Sequence, residues 1–322
     1  MGQANPQSAT SGQPTQPTQP TPPRLPMRGV DLLWSLRPHQ WAKNLLIFIP
    51  LITSHNLDDP DRLLAAVVVF IGFSLCVSSV YLLNDVLDRR TDRLHPDKSR
   101  RPIASGRVSV PWALGLGAGV LVAGLAVVAT LRAWLLIYMI AGYLLLNLAY
   151  SWRLKRRPVV DVLLLAGFYA FRVVLGGVAI EVAISQWLLA FSMFLFLSLA
   201  MAKRCTDLLA LRSAGRLTGK SHGYAPEDLD VLTALGSGSG YLSVLVLALY
   251  INDSPLAAEL YQAPELLWMA CPLLLYWITR LWFLVQRRSL HTDPVVFALK
   301  DRTSYVVAAV MAIVLLIASR GW

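Results

Sequence analysis

The stretch Asn84-Asp85-Val86-Leu87-Asp88-Arg89-Arg90-Thr91-Asp92 sets three carboxylates at i, i+3 and i+7. Continued as a helix, that spacing puts all three on one face. Carboxylates stacked this way repel one another unless a cation lies between them. Hard oxygen ligands on a rigid element suit Mg²⁺, which keeps part of its shell for substrate phosphates. Asp85, Asp88 and Asp92 are therefore the candidate metal ligands and catalytic groups, and Asn84 is a candidate substrate contact. The implied ligand is a diphosphate-bearing co-substrate carried by magnesium. Lys98, Arg100 and Arg101 follow in the same connection and are suited to grip phosphate oxygens. A solvated charged loop is the plain alternative, but the run sits where the apolar segment 67–83 reaches water.

Other polar groups stand at the ends of apolar runs. Tyr150, Ser151, Lys155 and Asp161 bridge two of them, and Arg172 lies eleven residues after Asp161. Eleven residues is about three turns, so both side chains leave the helix in the same direction. Charges inside a spanning helix are costly unless they line a polar cavity. Asp161 is a candidate catalytic group, with Tyr150, Lys155 and Arg172 as substrate contacts. An ion pair with another helix is the competing explanation. Lys203 and Arg204 end a later run, and Lys203 and Asp207 are at i, i+4. Phosphate contact and a surface pair suit them equally. Lys43 and Asn44, in Arg37-Pro-His-Gln-Trp-Ala-Lys43-Asn44, are substrate-contact candidates at the start of another run. Snorkelling of Lys43 to the interface is the alternative there. His291-Thr-Asp293-Pro and Lys300-Asp301-Arg302 are charged, but the sequence assigns them no role.

The elements that must position these groups are long and apolar. The chain has 322 residues, 56% of them hydrophobic and 15% charged. Soluble domains carry roughly 25% charged residues. Apolar runs occur at about 41–54, 63–83, 110–130, 133–150, 159–180, 186–202, 229–251, 265–285 and 303–319. The expected class is an all-α polytopic membrane protein of about nine transmembrane helices. The first run is the weakest, being short and interrupted by Lys43, Asn44 and Pro50. Of the 29 basic residues, 25 fall on alternate connections, three on the other side, and Arg172 within a span. That asymmetry predicts a cytoplasmic N-terminus and a cytoplasmic site in the cell (inner) membrane.

The net charge of +10 is thus explained by topology, and no nucleic-acid signature accompanies it. Residues 1–26, rich in Gln, Pro, Thr and Ser, read as a disordered tail, and 27–322 as the transmembrane domain. Cys76, Cys205 and Cys271 are scattered and show no disulfide or zinc pattern. No nucleophile-elbow, zinc-protease or Walker motif is present. Gly236-Ser-Gly238-Ser-Gly240 suggests close helix packing. A cation transporter is disfavoured, because the acidic groups sit at the membrane edge and not at its midplane.

The motif Asn84-Asp85-x-x-Asp88-x-x-x-Asp92 resembles the aspartate-rich motif of the UbiA superfamily of intramembrane prenyltransferases. The resemblance extends over about 28–320. It implies a helical bundle around a central cavity, Mg²⁺ held by the aspartates, and pyrophosphate leaving from a carbon that develops cation character. Tyr150-Ser-x-x-x-Lys155 with a lone Asp161, the Arg37-to-Asn44 stretch and Lys203-Arg204 are more similar to the decaprenyl-phosphate phosphoribosyltransferase branch. That branch implies transfer of phosphoribose from phosphoribosyl pyrophosphate to a polyprenyl phosphate, a step towards cell-envelope glycan precursors. The alternative is transfer of a polyprenyl group from its diphosphate to an aromatic or other small acceptor. Either reading requires a polyprenyl lipid and the bilayer as partners, and is compatible with a homo-oligomer.

Overall fold

The computed structural model describes residues 29–93, 98–213, 223–253, 260–288, 293–298 and 300–320. The tail expected at 1–26, and His291, lie outside them. The chain is all-α. Helix α1 (Gly29–Ser35) leads into a 3-10 segment, Pro38–Phe48, and then α2 (Ile49–Thr53). Next come α3 (Pro60–Leu87), α4 (Arg89–Arg93), α5 (Val110–Ala129), α6 (Trp134–Trp152), α7 (Val160–Ala179) and α8 (Gln186–Ser213). The remainder is α9 (Leu229–Asp253), α10 (Ala270–Gln286), the short α11 (Pro294–Ala298) and α12 (Arg302–Arg320).

Among the described residues eight stretches are long and apolar enough to cross a membrane, and they coincide with the second to ninth apolar runs of the sequence. The first run is helical as well, but most of it is wound as 3-10. It packs against α7 and α3. That packing depends on Gly176, where an added Cβ would overlap the carbonyl oxygen of Ile47. The close approach brings Lys43 and Asn44 over the polar face of α7.

Helix starts follow local chemistry. Asp59 caps α3, accepting from the backbone N–H groups of Asp61 and Arg62, and Pro60 occupies the first turn. Gly236 and Gly240 serve the close packing expected of them: a Cβ at Gly236 would strike the Trp282 ring, and one at Gly240 would meet Ile278 and Ser198.

Helix α7 is the axis of the bundle. One apolar cluster joins it to α3 and α6 through Phe73, Ile140, Tyr143 and Leu175. A second joins it to α8, α9 and α10 through Val173, Leu199, Leu208 and Ile278. The outer faces stay apolar, as at Val122, Tyr138 and Leu145. Lipid offers no hydrophobic drive for helix association, so close packing and interhelical hydrogen bonds must hold such a bundle.

Candidate functional site

The aspartate run does not continue as one helix. Helix α3 stops at Leu87, Asp88 has φ −85° and ψ 4°, and α4 restarts at Arg89. Asp85 and Asp92 remain buried on the inner side, while Asp88 is exposed. Backbone bonds from Asp88 N to Asn84 O and from Asp92 N to Asp88 O, both 2.8 Å, carry the helical register through this turn. Asp85 and Asp92 converge beneath it. Their meeting point is Arg101 Nη1, which lies 3.0 Å from Asp85 Oδ1 and 2.7 Å from Asp92 Oδ2. Arg37, in the left-handed region at φ 53°, also pairs with Asp85.

A cleft of about 520 Å³ opens beside Asp85. Arg37, Arg100, Arg101 and Arg107 line it, opposed by Asp85 and Asp31. Arg107 Nη1 lies 2.6 Å from Asp31 Oδ1, fixing that wall to α1. His39 also lines the cleft. Its burial, with Arg37, Lys300 and Lys43 nearby, pushes its pKa below the ordinary value and favours the neutral ring. Lys98 is exposed in the same connection. Asn84 reaches Ser151 Oγ at 3.1 Å and ties the end of α3 to the end of α6.

The second group centres on Asp161, which is fully buried. Arg204 Nε and Nη2 donate to its two oxygens at 2.6 and 2.9 Å, and Tyr150 Oη donates at 2.8 Å. Arg204 also donates to Asp207 at 2.9 Å. The surface pair considered for Lys203 and Asp207 is therefore replaced by Arg204–Asp207. Asp161 and Arg172 share α7 but not a partner, because each is satisfied by a different neighbouring element. Arg172 donates to Asn44 Oδ1 at 2.8 Å, to Tyr143 Oη at 3.1 Å and to the Phe168 carbonyl. Asn44 passes the link on to Ser74 Oγ at 2.8 Å. Lys155 is partly exposed in the short 3-10 turn before α7.

The third group includes a residue to which the sequence assigned no role. Asp293 receives Lys43 Nζ at 2.8 Å and Lys203 Nζ at 3.2 Å, and Tyr169 Oη donates to it at 3.1 Å. Lys43 therefore points inward and does not snorkel. Burial alone would raise the Asp293 pKa, but Lys203 and Lys43 overcome this and hold it well below the usual carboxylate range. Asp293 lies 250 positions from Lys43, so no local spacing signals the contact. Its one local mark is Asp-Pro at a helix start: it caps α11, accepting from Val295 N at 3.1 Å. Arg37, within a quoted motif but absent from the candidate residues, is the other addition.

Asp85 and Asp92 offer hard anionic oxygens that already focus on one cationic nitrogen, so their chemistry and convergence fit a divalent ion. Asp88 is exposed beside them. Among the described residues no cluster of three or more metal-ligating side chains is assembled.

The model of the UbiA prenyltransferase family matches residues 46–300. Decaprenyl-phosphate phosphoribosyltransferase of Mycolicibacterium smegmatis is 33% identical over 84% of this chain and 86% of its own. Nodulation protein NoeC of Azorhizobium caulinodans is 30% identical over 84% of this chain and 88% of its own. The uncharacterized protein y4nM of Sinorhizobium fredii is 37% identical over 88% of this chain, and the chain spans about half, 54%, of its length. Among solved structures, a UbiA homolog from Archaeoglobus fulgidus bound to GPP and Mg²⁺ superposes with a TM-score of 0.66. It is 17% identical, with 90% of this chain and all of that one covered, which is a likeness of fold.

Proposed function

Because the chain belongs to the UbiA prenyltransferase family and is an integral membrane transferase, we propose that it moves phosphoribose from phosphoribosyl pyrophosphate to a polyprenyl phosphate. The proposal includes a site at the cytoplasmic face of the cell membrane, with residues 27–322 as the transferase unit and 1–26 as a tail. The observation that carries this reading is the polar cleft beside Asp85, walled by four arginines. Guanidinium groups match a water-soluble sugar bearing several phosphates, by bidentate geometry as well as charge. The likeness to the Mycolicibacterium enzyme supports the reading further.

In this mechanism Arg37, Arg100 and Arg101 bind the diphosphate and orient C1 of the ribose towards the lipid. An oxygen of the lipid phosphate attacks C1 as the bond from C1 to the pyrophosphate oxygen breaks, and pyrophosphate leaves with the electron pair. The phosphate monoester is already an anion, so no strong general base is required. Asp85, Asp88 and Asp92 would hold Mg²⁺, which when bound supplies positive charge for the leaving pyrophosphate. The arginines share that load, in a site walled by low-dielectric protein. The apolar bundle limits the water that would otherwise capture the ribosyl cation. Asp161, held by Arg204 and Tyr150, would form the opposite wall, with Lys155 in the turn before α7 and Arg172 further along that helix.

One assay tests the proposal. Purified protein with Mg²⁺ receives labelled phosphoribosyl pyrophosphate with a polyprenyl phosphate, and separately a labelled polyprenyl diphosphate with aromatic acids. Label entering lipid in the first arm only is expected. Product in the second arm only overturns the proposal in favour of prenyl transfer.

A further inference from the structure

The cleft beside Asp85 is lined by two unlike sets of groups. Arg100, Arg101 and Arg107 come from the connection between α4 and α5, and Arg37 joins them. Trp34 of α1, with His39 and Gln40 of the 3-10 segment, brings no fixed charge. Asp31 and Ser35, from the same stretch, are already engaged. Arg107 holds the first, and the Ser35 hydroxyl donates to the Asp31 carbonyl at 2.7 Å. Trp34, His39 and Gln40 differ: among the described residues their side chains have no hydrogen-bond partner. The backbone ties them to the charged set. Arg37 N donates to the Trp34 carbonyl at 3.1 Å, and Gln40 N donates to the Arg37 carbonyl at 2.8 Å. Arg37 itself pairs with Asp85. A ligand whose phosphates engage Arg37 and Arg101 is therefore bordered, in the same cleft, by Trp34, His39 and Gln40.

These three side chains suit a sugar. A carboxamide and a neutral imidazole each offer a donor and an acceptor, which matches a hydroxyl. Arg37, Lys300 and Lys43 around His39, together with its burial, favour that neutral ring. An indole offers an apolar face for the C–H side of a furanose and an N–H for one of its oxygens. Trp34 is 60% exposed, so its ring is open to a ligand and contributes little packing to the fold. We propose that Trp34, His39 and Gln40 form a sugar subsite, and that they recognise the ribose of a diphosphate held by the arginines. This rests on the phosphoribosyl-transfer reading, because it gives that reading's sugar its own contacts.

A sugar subsite is read by comparing a ligand that has the sugar with one that lacks it. The experiment is equilibrium binding to the full chain in nanodiscs, with Mg²⁺, of phosphoribosyl pyrophosphate and of inorganic pyrophosphate. Gln40→Leu keeps the bulk of the side chain and removes its amide. It is expected to weaken phosphoribosyl pyrophosphate about five- to tenfold, the effect of losing one hydrogen bond. Trp34→Ala is expected to do the same, and Trp34→Tyr, which keeps an aromatic face, to lose less than Trp34→Ala. Pyrophosphate affinity is expected to stay within about twofold in every variant, which also reports that the cleft is folded. Equal losses for both ligands would mean that these residues only shape the cleft, and would overturn the inference. So would unchanged affinity for phosphoribosyl pyrophosphate in both Gln40→Leu and Trp34→Ala. The transfer reading is judged separately by the labelled-substrate assay. Phosphoribosyl transfer by the native protein, with no selective loss in the variants, sinks the subsite alone, whereas prenyl transfer alone sinks the reading.

Discussion

Lys43 Nζ lies 2.8 Å from Asp293 Oδ2 across 250 positions of sequence. The contact joins the first apolar run to the connection before the last helix. Its partner contact, Lys203 at 3.2 Å, adds α8. Three separate elements thus meet on one carboxylate, and its ionisation becomes a condition for their meeting.

The pH consequence has a definite sign. The folded pKa of Asp293 is depressed below its unfolded value, roughly 3.9. Its stabilisation is therefore fully present above that value and is lost as pH falls through the lower folded pKa. The thermal midpoint of native protein in detergent should exceed that of Asp293→Asn by a constant margin from pH 8 down to about 5. Below about pH 4 the margin should shrink. A margin that instead grows in acid would contradict the assigned ion pairs.

The two inner aspartates should matter most for metal use. Asp85→Asn and Asp92→Asn each remove one of the two carboxylates that converge, and each should cut turnover by roughly 10²-fold or more. Asp88→Asn leaves the convergent pair intact and should act mainly by raising the Mg²⁺ concentration needed for half-maximal rate. Magnesium titrations of the three variants, with folding checked by circular dichroism, separate these outcomes. Equal loss in all three would mean that the helix break at Asp88 closes when the site is loaded.

Much of this was legible before any coordinates. Eight long helices follow directly from apolar runs of spanning length, because a bilayer fixes how long such a run must be. The 3-10 winding of Pro38–Phe48 was not legible, and neither was its close approach to Gly176, because a contact between distant segments leaves no local mark. The convergence of Asp85 and Asp92 was readable from spacing. The exposure of Asp88 between them was not, since spacing alone does not report which ligand of a set lies nearest water. Asp161 and Arg172 were read as one polar wall from their shared helix face. Their separate partners, Arg204 and Asn44, come from two other elements, and single-helix geometry does not report those.

Gly176 offers a test of that close approach. Gly176→Ala would place a Cβ against the Ile47 carbonyl, a backbone atom that yields only if the 3-10 segment moves. Overpacking of this kind costs about 1–3 kcal/mol. The larger effect should be on activity, because the same segment carries Lys43 and Asn44. Turnover should fall by more than the loss of folded protein explains, measured as rate per folded molecule. A variant that is destabilised but fully active per folded molecule would detach this segment from the site.

The buried pair of Asp161 and Arg204 gives the sharpest energetic expectation. Arg204 has its side chain 3% exposed and Asp161 has 0%. Removing one partner strands the other charge, which costs about 3–5 kcal/mol. Arg204→Met and Asp161→Asn should each lower the unfolding midpoint strongly. The double variant leaves no stranded charge of this pair, so its loss should be well below the sum of the two. Tyr150 and Asp207 temper the result, because each bonds Arg204 independently at 2.9 Å. Asp161→Asn should therefore be the milder single variant, as Arg204 keeps Asp207 while Asp161 loses both charge and fork when Arg204 is removed. Additive losses would mean that the pair contributes packing alone, and that Asp161 is free to act on substrate.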